Sequence, residues 1–142
     1  MLPTLPIGSL FLSELIGKEI ISDTYHGINS TLSQIESFDI RHVNNCLEKL
    51  DILKKIEIIN SIFENYQCEG NKTKIMSLNN LHEIADKIKM ELEEIKKDLE
   101  YSKTIYFSYL RSKPYFEKLK KLNLHCDILD QRLKLFLLLQ DS

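Results

Sequence analysis

Apolar residues recur every three or four positions along most of this chain, the period of helices that bury one face. Four such stretches can be traced. The first runs from about Ser9 to Ser37, with Leu12, Ile16 and Ile20, then Ile21, Tyr25, Ile28, Leu32 and Ile35, on its stripe. Gly17 and Gly27 weaken it and suggest a kink near residues 23–27. The second covers about 40–66 and carries Val43, Cys46, Leu50, Leu53, Ile56, Ile59, Phe63 and Tyr66. Asp39 or Ser37 can cap it, because a short oxygen-bearing side chain accepts the unpaired first-turn N–H groups. Ile52, Ile58 and Ile62 widen its stripe, as a helix touching more than one neighbour requires. Residues 67–77 (QCEGNKTKIMS) form the one plausible long loop.

The third stretch, about 78–112, has the cleanest period: Leu81, Ile84, Ile88, Leu92, Ile95, Leu99, Ser102 and Tyr106. Its opposite face is charged, and pairs such as Glu93 with Lys97 four residues on support a solvated helix by ~0.2–0.5 kcal/mol each. It should end before Pro114, which pushes its predecessor away from helical angles. The fourth stretch, about 114–139, starts with that proline in the first turn, where a missing N–H does no harm. Four long helices with short connections predict an all-α fold: one domain over 1–142, an antiparallel up-down four-helix bundle in which the 67–77 loop joins two hairpins.

The fourth helix has more apolar surface than one face needs. Leu119, Leu122, Cys126, Leu129, Leu133, Phe136 and Leu137 form one arc, and Leu124, Ile128, Leu135, Leu138 and Leu139 lie roughly opposite. A helix apolar nearly all round is either central in its bundle or awaits a partner, and periodicity leaves both readings open.

Composition narrows the class. Among 142 residues are 23 Leu and 18 Ile but one Val, one Ala, four Gly and three Pro, which excludes a sandwich of short strands and a glycine-rich nucleotide fold. The net charge of −2 is unlike the basic balance of a nucleic-acid binder. It conceals a split: residues 1–100 carry 11 basic and 17 acidic side chains, residues 101–140 carry 8 and 3. The basic end either docks on acidic neighbours within the bundle or faces an anionic partner.

Reactive chemistry is sparse. Cys46, Cys68 and Cys126 are odd in number and widely spaced, as in a cytosolic protein with free thiols. The four histidines lack metal-ligand spacing, so no metal or cofactor is expected, with Cys126 as core filler and His125 as exposed surface. No phosphate-binding glycine loop, nucleophile elbow or EF-hand pattern occurs. Tyr101, Tyr106, Tyr109 and Tyr115 lie among Lys103, Arg111 and Lys113, a mixture that suits a helix junction better than a single-stranded nucleic acid. The expectation is a non-enzymatic protein without catalytic residues, small-molecule substrate or nucleic-acid partner. No basic leader precedes Glu14 and no run approaches ~18 apolar residues, so a cytoplasmic location is expected.

The segment from Tyr106 to Leu133, with a long third helix, a break at Ser112-Lys113-Pro114 and a fourth helix of the form Phe-x-x-Leu-x-x-Leu-Asn, resembles the end of the N-terminal four-helix-bundle domain of mixed-lineage-kinase-domain-like proteins. It is similar, at the level of hydrophobic pattern, to fungal HeLo domains and the coiled-coil domains of plant resistance proteins. The apolar start, Leu10 to Ile21, and Leu50 fit the same pattern. The resemblance implies a cell-death module of the necroptosis type that oligomerises and binds or permeabilises anionic membranes. It would place lipid contacts on Lys113, Lys118, Lys120, Lys121, Arg132 and Lys134, and membrane insertion on Leu10, Phe11, Leu12, Leu15 and Ile16. Near an anionic surface each cation is worth ~1 kcal/mol, enough in sum for reversible recruitment. Departures are the absence of a kinase-like region, the slightly acidic total and the lack of a basic run. The competing expectation is an adaptor or subunit of a larger assembly that binds protein through Leu124, Ile128, Leu135, Leu138 and Leu139.

Overall fold

A computed structural model of the chain describes residues 21–65, 72–104 and 115–140. The described residues form an all-α helical bundle and contain no strand. Helix α1 is seen over 21–36, followed by α2 (Arg41–Leu50), α3 (Ile52–Asn65), α4 (Lys72–Thr104) and α5 (Tyr115–Gln140). The expected helical residues 9–20 and 105–112, the insertion positions Leu10, Phe11, Leu12, Leu15 and Ile16, and Lys113, Tyr106, Tyr109 and Cys68 lie outside the described residues.

One apolar core joins all five helices. The stripe read along α4 is buried from Leu81 through Leu99, and α5 contributes Leu119, Leu122, Cys126, Leu129 and Phe136. In α1 the most buried line is Ile21, Thr24, Ile28, Thr31 and Ile35, whereas Tyr25 and Leu32 are half-buried beside it. The helix runs without interruption through Gly27. That glycine makes room for a neighbour, since a Cβ there would lie 2.7 Å from Cε of Lys89 on α4.

Directions follow from cross-links. Lys118 near the start of α5 pairs with Asp98 and Glu94 late in α4, and Arg132 farther along α5 pairs with Glu83 early in α4, so the two helices run antiparallel. On the other side of α5 the His42 and Phe116 rings meet edge-on at 5.1 Å and Lys55 reaches Asp130 at 3.2 Å. The α2–α3 arm therefore runs parallel to α5.

Several boundaries differ from the periodic reading. The second helix is two helices, broken where Asp51 takes left-handed angles (φ 51°, ψ 43°). Its N–H donates to the Leu47 and Glu48 carbonyls, and its own carbonyl accepts from the Lys55 N–H, so one residue closes α2 and opens α3. The break shifts the helical phase, burying Ile52, Ile56, Ile59 and Phe63 and leaving Leu53 half-buried. Asp39 is not a cap: it too is left-handed (φ 54°), Ile40 occupies the N-cap with no side-chain bond, and Ser37 Oγ donates back to the Gln34 carbonyl. Residues 72–77, expected within the 67–77 loop, are helical, because α4 begins at Lys72. Leu78, three residues before Leu81, and Ser77 are buried and extend the stripe backwards.

Candidate interaction surface

Helix α5 holds most of the residues expected to carry function, and its neighbours decide what each can do. Of the basic positions, Lys118 and Arg132 are engaged by α4. Lys118 Nζ lies 2.7 Å from Asp98 Oδ2 and 3.6 Å from Glu94, and the bond to Asp98 holds the ammonium above its usual pKa despite partial desolvation. Arg132 donates to Glu83 Oε1 at 3.1 Å and to the Asn80 carbonyl at 2.9 Å. Both pairings join the basic end of the chain to its acidic part. Lys120 is exposed and reaches Glu117 one turn earlier, at 3.4 Å. Lys121 and Lys134 are exposed and make no salt bridge among the described residues.

The second apolar arc resolves into an outer face. Leu124, Leu135 and Leu138 are 57%, 53% and 68% exposed, with Ile128 and Leu139 half-buried at its margins. Leu137, read as part of the inner arc, is 51% exposed; burial along that arc stops at Phe136. This face looks outward between α4 on one flank, where Arg132 is held, and α3 on the other, where Lys55 holds Asp130.

α2 and α5 line an open groove of about 590 Å³, with Leu50, Leu119 and Phe116 as its apolar residues and His42, Lys49 and Lys120 beside them. Cys46 lines it half-exposed, whereas Cys126 is buried, and burial pushes the Cys126 thiol up to about 12. His125 is half-buried rather than exposed: it lies toward α4, with Nδ1 enclosed and lacking a hydrogen-bond partner among the described residues. His82 Nε2 on α4 is in the same state, and burial lowers the pKa of both rings. Tyr115 is buried and Tyr101 exposed, so of the tyrosine cluster those two do not share an environment.

Among the described residues no group of three His, Cys, Asp or Glu side chains could hold a metal ion, and no helix is long and apolar enough to cross a membrane. No protein-family model, curated protein or solved structure matches the chain. The arrangement offers a surface: a long helix, held from below by its core and from the sides by ion pairs, carrying leucines outward. Periodicity does not fix the exposure of that arc, since a helix apolar on two sides fits a central or a peripheral place equally well.

Proposed function

We propose that this domain is a non-enzymatic helical interaction module whose working surface is the outer face of α5. The observation that carries the reading is the exposure of Leu124, Leu135 and Leu138 on one face of a helix whose other stripe is buried at Leu119, Leu122, Cys126, Leu129 and Phe136. Apolar side chains grouped on a rigid exposed element mark contact sites more often than scattered ones do. The test replaces all three by glutamine. The triple variant is expected to keep the helical circular-dichroism signal and stability of the parent, within about 0.5 kcal/mol per site, and to lose retention on a hydrophobic-interaction matrix. Leu122→Ala, in the core, is expected to cost about 2–5 kcal/mol. A triple variant that unfolds as readily as Leu122→Ala would show that the face supports the fold, and the reading would fail.

A second reading gives the same face a lipid surface, as the resemblance to cell-death bundles implies. It is favoured by Lys121 and Lys134, which flank the leucines without a salt bridge among the described residues. An amphipathic helix with leucines on one side and lysines at the border suits an anionic interface. Lys118 and Arg132 would have to leave carboxylate partners to take part. Sedimentation with vesicles containing anionic lipid tests it: Lys121→Glu with Lys134→Glu should abolish binding, and unchanged binding sinks the lipid assignment.

A further inference from the structure

We propose that a second copy of this chain covers the outer face of α5, the two α5 helices packing antiparallel. The inference rests on the interaction reading above and names its partner. Leu124, Ile128, Gln131, Leu135 and Leu138 follow one another at spacings of four, three, four and three. That is the seam spacing of two helices wound on each other, with one polar position of the kind that sets register. Leu124, Gln131, Leu135 and Leu138 of the seam are exposed and lie apart from the core stripe of the same helix, and only Ile128 at its margin also packs against the core, so both can be filled at once.

The seam complements itself in one direction. Laid antiparallel with Leu124 opposite Leu135 of the second copy, Ile128 falls opposite Gln131 and Leu138 over the stem of Lys121, and symmetry repeats each layer. Asp127 and Lys134 lie on one side of the seam, both exposed and without a salt bridge among the described residues. The same register brings each Asp127 within a turn of the other copy's Lys134. A parallel pairing would instead stack Lys121 on Lys121 and Glu117 on Glu117, which like charges oppose. α3 and α4 flank the seam without closing it, since Asp130 and Arg132 hold them to either side. One helix pair buries less than a standard interface, so the association is weak and depends on concentration.

Sedimentation equilibrium of the full chain from roughly 10 to 500 µM should show monomer passing into dimer. Leu135→Glu should hold the chain monomeric. Asp127→Lys and Lys134→Asp should each weaken the dimer about 3–10-fold, and the double exchange should restore it, because each variant alone removes two opposite-charge contacts. With Cys46 and Cys68 replaced by serine, a chain carrying Ile128→Cys should form disulfide-linked pairs with one carrying Gln131→Cys. A chain monomeric throughout, a double exchange as weak as the single ones, or Gln131→Cys linking preferentially to itself overturns the proposal. A monomeric chain whose triple-glutamine variant still folds and loses matrix retention leaves the interaction reading standing with a different partner.

Discussion

Lys118 Nζ and Asp98 Oδ2 meet at 2.7 Å where the start of α5 crosses the end of α4, with only 28% and 17% of their side-chain surfaces left to water. Ion pairs at the open surface contribute little, but one shielded on both sides and shared with Glu94 is screened less. Lys118→Met leaves two carboxylates facing each other and is expected to lower stability by about 1–2 kcal/mol in urea titrations at pH 7. Asp98→Asn should cost less, since Glu94 remains. A double-mutant cycle giving no coupling would mean the pair is incidental.

The two half-buried histidines are expected to make the bundle acid-sensitive. Burial lowers the pKa of His82 and His125, outweighing the raising effect of Asp86 and Glu91 respectively, while Lys87 and Lys121 also lower His125. The unfolded rings titrate near ~6.5, so below that pH the unfolded chain takes up protons that the folded chain refuses, and stability falls. The effect is absent above pH ~7.5 and grows from pH ~6.5 downwards until the folded rings titrate. Urea midpoints from pH 7.5 to 5.5 should fall, and His82→Gln with His125→Gln should flatten the profile. A parent midpoint independent of pH in that window would remove the argument.

Asp51 offers a test by sign. A left-handed angle costs an ordinary side chain about 1–2 kcal/mol and a glycine almost nothing. Asp51→Gly is therefore expected to be neutral or stabilising by up to about 1 kcal/mol, and Asp51→Val destabilising by about 1–2 kcal/mol. In an unbroken helix glycine would instead be the worse choice, by about 1 kcal/mol against alanine. Chemical denaturation of the two variants separates the cases.

Thiol reactivity should divide the cysteines. Cys46 is half-exposed at the α2–α5 groove, whereas the Cys126 thiol is buried and pushed up to about 12. In a Cys68→Ser chain, a maleimide at pH 7.5 should label Cys46 within minutes and Cys126 only on unfolding. Prompt labelling of both would mean that α5 does not pack as described.

Periodicity made the helices legible where the stripe was long and uninterrupted. Leu81 to Leu99 keeps its phase over five turns, and each of those apolar positions is buried. The break at Asp51 carried no such sign, because neither glycine nor proline marks it, and aspartate is one of the few side chains that tolerates a left-handed angle. The early start of α4 was hidden by the polar residues Asn71 to Lys74, although Leu78 already continued the stripe. Thr24 and Thr31 face the core beside Tyr25 and Leu32, and spacing alone does not say which of two adjacent positions is the more buried. The same limit applies to the site. The surplus leucines of α5 were visible as a second arc, but their exposure depends on where α3 and α4 stop, a tertiary fact. The charge split was legible as a sum, yet its use in Lys118–Asp98 and Arg132–Glu83 needed the helices placed side by side.

The joint at Asp51 has a consequence for how the molecule opens. It leaves α2 only ten residues long, with Val43 as its one fully buried side chain. A helix of that length does not persist in water by itself, so its opening free energy is set by a few contacts with its neighbours in the bundle. Amide hydrogens of α2 should exchange ahead of those of α3 and α4, making this arm the first part of the bundle to come away while the remaining core stays closed.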